Sequence, residues 1–253
     1  MLQVVGSICP SSVGNTIQTT SDLIVKPIEH MGSDRRIIEA MLVSTMSEED
    51  IQAVLTESKS TKGRINFLMR ERHGSPFEHN AMTFYVAAPI MVFREFHRHR
   101  IGFSYNERSG RYSKLEDLFY IPPEERPLIQ VGKPGEYRML PEPEHIKYLA
   151  TIDDMLAAYQ FSYERYERIL ERGHAKEIAR SVLGVGIYSA MYVTCNARSL
   201  MSFLSLRVNE PKATFPSKPQ WEIWQVANQM EAQFSSWFPH THAAFIEHGR
   251  VAP

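Results

Sequence analysis

The sequence predicts an α+β fold in a single domain that spans residues 1–253. Many segments show the apolar period of a helix, whereas β-rich runs are few and do not alternate with helices as in a parallel βαβ sheet. The sequence shows no internal repeat and no low-complexity segment that would divide the chain. Hydrophobic residues make up 43% and charged residues 23%, which is typical of soluble globular proteins.

Short helices dominate the predicted first part of the chain. Apolar periodicity predicts helices at 34–43, 47–58 and 62–74. The second starts with a serine N-cap followed by acids, and the third ends at a glycine. Residues 75–78 then have the pattern of a capping box, with the serine as N-cap and proline at the first helical position.

A strand and a further helix follow. The β-rich run 81–88 precedes a helix that we expect to start at Pro89, to continue to Arg98 and to stop at Gly102. Six prolines between residues 122 and 143 indicate an excursion over the surface.

The longest predicted helix covers residues 142–172, and we expect its stripe of tyrosine and methionine to pack in the core. The remaining predicted elements are a helix at 175–185, a β-rich run at 186–195, a helix at 196–208 capped by Asn196, and a helix at 219–238 ended by Pro239.

Positive charge is concentrated in residues 97–114, "HRHRIGFSYNERSGRYSK", although the whole chain has a net charge of only -1. This segment holds four arginines, one lysine and a single acid, Glu107. The planar arginine fork suits phosphate or carboxylate, and the segment's aromatic rings suit a nucleotide base. We therefore expect a local site for a defined anion; a solvated charged turn is the alternative. The near-neutral chain argues against a nucleic-acid or membrane partner.

Several common sites have no counterpart in the sequence. It contains no phosphate-binding loop of the G-x-x-x-x-G-K-[ST] type, no G-x-G-x-x-G after a strand, no H-E-x-x-H and no apolar run of membrane-spanning length. We expect no metal site. Cys9 and Cys195 have no metal-like spacing and no adjacent base, so we expect reduced, structural thiols in a cytoplasmic protein.

The arginine segment resembles the signature of the flavin-dependent thymidylate synthases, the ThyX family. The signature consists of Arg98-His99-Arg100, a spacer, and then Ser109-Gly110-Arg111-Tyr112. Other motifs follow in family order over most of the chain: "HGSPFEH" at 73–79, "FREFHRHR" at 93–100, "SGRYSKLEDLFYIP" at 109–122, "KEIARSVL" at 176–183, "NARSLMSFLSLR" at 196–207 and "QWEI" at 220–223.

The resemblance implies a small antiparallel sheet flanked by several helices. It also implies methylation of dUMP to dTMP, with 5,10-methylenetetrahydrofolate as carbon donor, NADPH as reductant and bound FAD as intermediary, without a cysteine nucleophile. The flavin would carry the redox chemistry, and the protein would supply position and charge. Family members assemble as homotetramers with each FAD between subunits, so the same assembly is expected here.

Residue by residue, the resemblance implies two ligand sets. The catalytic residue would be Arg207, which would stabilise the ionised uracil ring. The residues matched to dUMP binding are Glu95, Phe96, His97, Arg98, Glu107, Arg108, Ser109, Gly110, Arg111, Arg180 and Arg207. Those matched to FAD binding are Ser75, Arg98, His99, Arg100, Asn106, Glu107, Asn196, Arg198 and Ser202.

The chain departs from the family pattern at four places. The spacer between Arg100 and Ser109 has eight residues, one more than usual, so we expect a bulge near Phe103. Ser202 replaces a common asparagine and Gly184 a common proline. Residues 208–219 are longer than in compact members and lack their histidine.

Two alternative functions stay open. A related enzyme could use the same dUMP and folate sites to deliver a hydroxymethyl group. A protein of another class could use the arginines to bind a nucleotide or RNA without turnover.

Overall fold

A computed structural model describes residues 17–55, 61–133 and 136–253. Its strands are β1 (Gln18–Thr20), β2 (Ile24–Met31), β3 (Ala81–Pro89), β4 (Phe103–Glu107), β5 (Leu118–Tyr120), β6 (Ile129–Val131), β7 (Arg138–Leu140) and β8 (Tyr188–Cys195). Its helices are α1 (Asp34–Leu42), α2 (Glu48–Leu55), α3 (Thr61–Arg70), α4 (Ile90–Phe96), α5 (His145–Glu171), α6 (Lys176–Ala179), α7 (Ala197–Arg207), α8 (Trp221–Trp237) and α9 (Pro239–Glu247).

The main sheet has the order β2-β3-β8-β4, and every neighbouring pair of strands is antiparallel. Two smaller sheets accompany it, a parallel pair β1-β5 and an antiparallel pair β6-β7. In β3, side chains alternate between buried and half-buried, as the period of two in a strand requires. The predicted α+β fold with a small antiparallel sheet is confirmed.

Two groups of buried apolar side chains hold the elements together. The larger joins β3 and β8 to the helices around them, with Phe84, Phe203 and Phe234 at 0% exposure. The smaller lies under α5 and includes Tyr163 and Tyr166. The predicted core packing is therefore confirmed for these two tyrosines of the stripe, whereas Met155 is half-buried and belongs to neither group. The hydroxyls of Tyr163 and Tyr166 bind the backbone of Leu115, which places α5 beside the loop that follows β4.

Three local predictions are wrong. Residues 75–78 form a 3-10 turn that Gly74 precedes, and its first residue supplies no side-chain cap. The helix after Pro89 ends at Phe96, two residues before Arg98. The predicted bulge near Phe103 is not found, because β4 pairs with β8 in unbroken register from Phe103 to Glu107.

Other predicted elements differ from the structure in their length or in where they end. The helix predicted at 175–185 is one short turn followed by a 3-10 turn, Arg180–Val182. Pro239 follows the end of α8 as predicted, but it also begins α9, which periodicity did not reveal. The surface excursion contains the β6-β7 hairpin. Residues 56–58 of the predicted second helix lie outside the described residues. Within the described residues, no helix has the length and apolarity needed to cross a bilayer.

Candidate active site

Arg207, the last residue of α7, is held by three hydrogen bonds from its guanidinium. Nη1 donates to Oε2 of Glu95 at 2.5 Å, Nη2 donates to the Glu95 carbonyl oxygen at 3.3 Å, and Nε donates to Nε2 of His99 at 3.0 Å. The Arg207 side chain is only 14% exposed. A charge this well buried needs such partners, and together they fix the plane of the guanidinium.

His99 is neutral in this arrangement. Burial, and then the positive charges of Arg207 and Arg98, lower the pKa of His99 to about 4. Because Nε2 accepts a hydrogen bond from Arg207, the ring proton lies on Nδ1. Burial also lowers the pKa of Arg207, while the Glu95 carboxylate acts in the opposite direction.

The turn between α4 and β4 is tied to the helix that carries Arg207. The Tyr105 hydroxyl lies 2.8 Å from the Phe96 carbonyl oxygen and 2.7 Å from that of His99. Gly102 has φ +67, and a Cβ there would lie 2.1 Å from Oγ of Ser199 on α7. The close approach of this turn to α7 therefore requires glycine.

A cavity of about 870 Å³ opens beside this cluster. Glu95, Arg98 and Arg207 line it, and these are three of the residues matched to dUMP. The other lining residues include Arg126, Gln130, Tyr137, Arg138, Lys218, Trp221 and Trp224. A cavity of this size is at the upper end of the range for small-molecule sites.

A smaller cavity, about 90 Å³, brings together four other residues matched to dUMP: Glu107, Arg108, Gly110 and Arg180. Gly110 is buried, and a Cβ on it would lie 3.2 Å from Leu115. Ser189 also lines the cavity, and its buried Oγ has no hydrogen-bond partner within the described chain. A buried hydroxyl left without a partner is costly, so this cavity suits a ligand or water with hydrogen-bonding capacity.

The arginines differ in whether an acid already pairs with them. Arg108 forms an ion pair with Glu116 at 2.5 Å, and Arg111 with Glu177 at 2.8 Å, all four side chains being exposed. Within residues 17–55, 61–133 and 136–253, the guanidinium groups of Arg98, Arg100 and Arg180 have neither an ion pair nor a hydrogen bond. The second group is free to hold an anion, and exposed pairs such as the first exchange partners at little cost.

The residues matched to FAD are spread over several places. Asn196 caps α7 as predicted, its Oδ1 accepting from the Ser199 backbone N–H at 2.8 Å. Arg198 donates to Oε1 of Glu78 and to the carbonyl oxygen of Pro253, each at 2.7 Å. Ser75 is close to Arg198, because a Cβ on the preceding Gly74 would lie 2.4 Å from Nε of Arg198. Of the remaining positions, Arg98, Arg100, Asn106 and Ser202 are exposed, while His99 and Glu107 are half-buried.

Three residues matched to dUMP, Phe96, His97 and Ser109, line neither of the two cavities. The Phe96 ring is fully buried and stacks on Phe203 with a centroid distance of 5.0 Å, so its side chain is not available to a ligand. The exposed His97 lines neither of the two cavities and lies edge-on to Tyr105, with ring centroids 5.2 Å apart. Ser109 accepts a hydrogen bond at Oγ from the Arg111 backbone N–H at 3.3 Å.

Sequence reasoning missed the buried partner of Arg126, which lines the large cavity. Glu222, 1% exposed, accepts from Arg126 Nε at 2.8 Å and from the Tyr120 hydroxyl at 3.0 Å. These partners are 96 and 102 residues away in sequence, so no local spacing signals the contact. The motif "QWEI", noted only as a resemblance, marked the segment that holds Glu222 and Trp221.

The described residues contain no cluster of His, Cys, Asp and Glu side chains that could bind a metal ion. Cys195 is buried, and burial raises the pKa of its thiol far above its usual value. Cys195 therefore offers no thiolate nucleophile. Cys9 lies outside the described residues.

Comparison with known proteins places this geometry in a family. The family described as "Thymidylate synthase complementing protein" matches residues 26–240. Flavin-dependent thymidylate synthase of Streptomyces avermitilis is 49% identical over 92% of this chain and 94% of its own length. That of Streptomyces coelicolor is 48% identical over 94% of this chain and 96% of its own length.

Solved structures agree with these relatives. The UMP/dUMP methylase PolB from Streptomyces cacaoi, bound with 5-Br dUMP, superposes with a TM-score of 0.88 at 46% identity. The same protein bound with 5-Br UMP gives a TM-score of 0.86 at 44% identity, and each comparison covers 94% of this chain and 100% of the other. With matches in sequence and structure over nearly its whole length, this chain belongs to the ThyX family of flavin-dependent thymidylate synthases.

Proposed function

We propose that this protein methylates dUMP to dTMP, taking the carbon from 5,10-methylenetetrahydrofolate and the reducing equivalents from NADPH by way of bound FAD. The observation that carries the proposal is the Arg207 guanidinium, fixed by Glu95 and His99 at the wall of the large cavity. When bound, FAD supplies the redox chemistry.

In this proposal Arg207 acts on the pyrimidine ring of dUMP. A guanidinium that is already oriented and partly desolvated stabilises negative charge on the uracil without reorganising during the reaction. Charge held there makes the ring carbon more nucleophilic. Neutral His99 keeps the Arg207 Nε–H occupied and leaves its own Nδ1–H as a donor to a ligand.

The dUMP phosphate is assigned to the small cavity. Arg180 brings an unpaired guanidinium, and it packs against Gly110, where a Cβ would lie 3.3 Å from its side chain. Arg108 and Arg111 also bind the phosphate by giving up their ion pairs with Glu116 and Glu177. Phosphate oxygens bind an arginine fork in two-point contact. The partnerless Ser189 hydroxyl supports a polar occupant of this cavity.

The matched residues also fit a flavin dinucleotide. Arg98 and Arg100 supply unpaired positive charge suited to a pyrophosphate, while Asn196 and Arg198 present polar groups at the start of α7. Because five of these residues, Ser75, Arg98, Arg100, Asn106 and Ser202, are exposed in the single chain, we propose a homotetramer with FAD between subunits. Ile101, 89% exposed, and Tyr112, 78% exposed, lie within the arginine segment and support its coverage by another subunit.

We also propose a cytoplasmic location, where reduced thiols such as buried Cys195 persist.

The test is an anaerobic assay with dUMP, methylenetetrahydrofolate and NADPH, with the product identified by mass. The purified protein should show flavin absorbance at about 450 nm, and dTMP should form only when all three substrates are present. A hydroxymethyl product would instead favour the related enzyme that delivers a hydroxymethyl group to dUMP. A colourless protein that binds RNA without turnover would favour a non-catalytic binding protein.

A second candidate substrate is UMP. The structural neighbour is named a UMP/dUMP methylase and was solved with 5-Br UMP as well as 5-Br dUMP. The same assay with UMP in place of dUMP, compared as kcat/KM, decides between the two nucleotides.

A further inference from the structure

Part of the large cavity is lined by residues that neither the dUMP nor the FAD assignment uses. Tyr137 and Arg138 come from the β6-β7 hairpin, Lys218 precedes α8, and Trp221 and Trp224 lie in the first turn of α8. We call these five residues the aromatic-basic wall. They share the cavity with Arg207 and Glu95, so a ligand on the wall would lie in the same space as the proposed reaction.

The cations of the wall are not engaged by the protein. Within the described parts of the chain, the side chains of Arg138 and Lys218 form no ion pair and no hydrogen bond, and both residues are exposed. Arg126, which lines the same cavity, is instead neutralised by buried Glu222. Arg138 and Lys218 are therefore the wall's free positive charges, able to bind carboxylate or phosphate.

The rings of the wall are partly exposed. Tyr137, Trp221 and Trp224 are each half-buried, so each ring packs on the protein and leaves surface for a ligand. Aromatic side chains of this kind bind flat rings by stacking. A wall of three rings and two free cations suits a ligand that carries both an aromatic ring and anionic groups.

The α8 side of the wall is fixed before a ligand arrives. Glu222, next to Trp221, binds Arg126, and Arg126 Nη1 donates to the Pro127 carbonyl oxygen at 2.5 Å. The Tyr120 hydroxyl binds the same carboxylate. This buried network joins the start of α8 to the segment before β6, so the backbone that carries Trp221 needs little ordering when a ligand binds.

The geometry points to the aromatic-basic wall as the binding site for the anionic, aromatic end of a co-substrate, an inference that rests on the proposed function. Two co-substrates share this chemistry: folate, with an aminobenzoyl ring and glutamate carboxylates, and NADPH, with an adenine ring and a 2′-phosphate. Of the residues matched to FAD, Arg98 lines this cavity, whereas Ser75, Asn196 and Arg198 do not. The wall is thus left to a second ligand.

The test compares the wild type with the double variant Arg138→Ala/Lys218→Ala. Lys212→Ala removes an exposed lysine of the same segment that does not line the cavity, and it serves as the matched control. The charge-preserving double variant Arg138→Lys/Lys218→Arg tests whether a loss of affinity in the alanine variant comes from the missing charges or from a disturbed fold. KM is measured separately for methylenetetrahydrofolate with one and with several glutamates, and for NADPH against NADH.

Binding is measured independently of turnover by quenching of tryptophan fluorescence with folic acid or NADP⁺. Two of the chain's three tryptophans line the cavity, so a ligand bound on the wall should quench their fluorescence directly. We expect the alanine double variant to lose about tenfold or more in affinity for one of the two co-substrates, since removing a hydrogen bond to a charged group typically costs that much. The charge-preserving variant should stay within about threefold of wild type, a loss that is small on the same scale.

The two sets of measurements distinguish folate from NADPH as the ligand of the wall. Loss of the polyglutamate preference assigns the wall to folate, and loss of the NADPH preference over NADH assigns it to NADPH. Unchanged affinity for both overturns the inference, and so does a variant that loses only FAD. A wild type that makes no dTMP or methylated UMP refutes the proposed function, while the fluorescence titrations still decide whether the wall binds these ligands.

Discussion

Glu95 Oε2 accepts a 2.5 Å hydrogen bond from Nη1 of Arg207, joining the end of α4 to the end of α7 across 112 residues of sequence. The two side chains are 30% and 14% exposed, so solvent screens the pair less than a surface ion pair. The carboxylate offsets the guanidinium charge, and together with His99 it fixes the direction in which the guanidinium can act. Position and charge at this point are therefore set jointly by three side chains.

The first prediction concerns Arg207→Lys. A single ammonium group cannot keep the contacts to Glu95 and His99 and also make a planar contact with a pyrimidine. We expect kcat to fall by about 100-fold or more, the size of effect seen when a positioned charge is removed from a transition state. Steady-state kinetics measures this, and equilibrium dUMP binding and FAD content are the controls. Near-normal turnover would show that the role assigned to Arg207 is wrong.

Glu95→Gln is predicted to weaken the fold as well as the reaction. Glutamine still accepts a hydrogen bond, but Arg207 loses its counter-charge while only 14% exposed. We expect the free energy of unfolding to fall by about 1–3 kcal/mol, measured by urea denaturation. Glu177→Gln, which breaks an exposed pair with Arg111, is the control and should cost less than about 1 kcal/mol. Equal losses for the two variants would contradict the prediction.

Local patterns in the sequence predicted the helix that carries Arg207. Asn196 was expected to cap α7, and its Oδ1 does accept from the Ser199 N–H, because a cap needs only residues three apart. The pattern at Ser75 was equally local but failed. There the capping acid, Glu78, binds Arg198 instead, 120 residues away, and the turn stays 3-10.

Contacts between distant segments could not be predicted in this way. The pairing of Glu95 with Arg207, and that of Glu222 with Arg126, depend on how the helices pack. The strand β4 was missed for a related reason, since its pairing with β8 decides its conformation while its charged neighbours suggest a loop. Family motifs marked many of the site positions, but they did not show which of them share a cavity.

Arg111→Ala is predicted to weaken dUMP binding without slowing the chemical step. If Arg111 serves as a handle for the phosphate, its contribution is equal in the ground state and the transition state. We expect KM for dUMP to rise about tenfold or more, with kcat unchanged. The companion variant Glu177→Gln frees Arg111 from its acidic partner, so its KM should be no higher than that of the wild type. Unchanged dUMP affinity in Arg111→Ala would remove the phosphate role.

Gly102→Ala is predicted to destabilise the turn that holds His99. Its φ of +67 disfavours a side chain, and the new Cβ would lie 2.1 Å from Ser199 Oγ. We expect a loss of about 1–3 kcal/mol, seen as a lower Tm. Gly63→Ala, in α3 with open space around its Cβ position, is the control and should leave Tm unchanged or raise it. A Gly102→Ala protein as stable as the wild type would refute the need for glycine at this close approach.

The last prediction is a dependence of stability on pH that comes from His99. Its pKa in the folded protein is about 4, below the ordinary value of 6.5, because burial and the charges of Arg207 and Arg98 disfavour the imidazolium. Between these two pH values the unfolded chain binds the proton and the folded chain does not. The contribution of neutral His99 is therefore fully present above pH 6.5 and is lost as the pH falls toward 4.

We expect the difference in unfolding free energy between wild type and His99→Asn to shrink as the pH is lowered from 7.5 to 4.5, by at most about 1.4 kcal/mol per pH unit. Asparagine has no titrating proton but can still accept from Arg207, and the titration of other groups cancels in the difference. Urea denaturation at each pH measures it. A difference that stays constant over this range would mean that His99 keeps an ordinary pKa, and the neutral acceptor that Arg207 Nε requires would then be missing at mildly acidic pH.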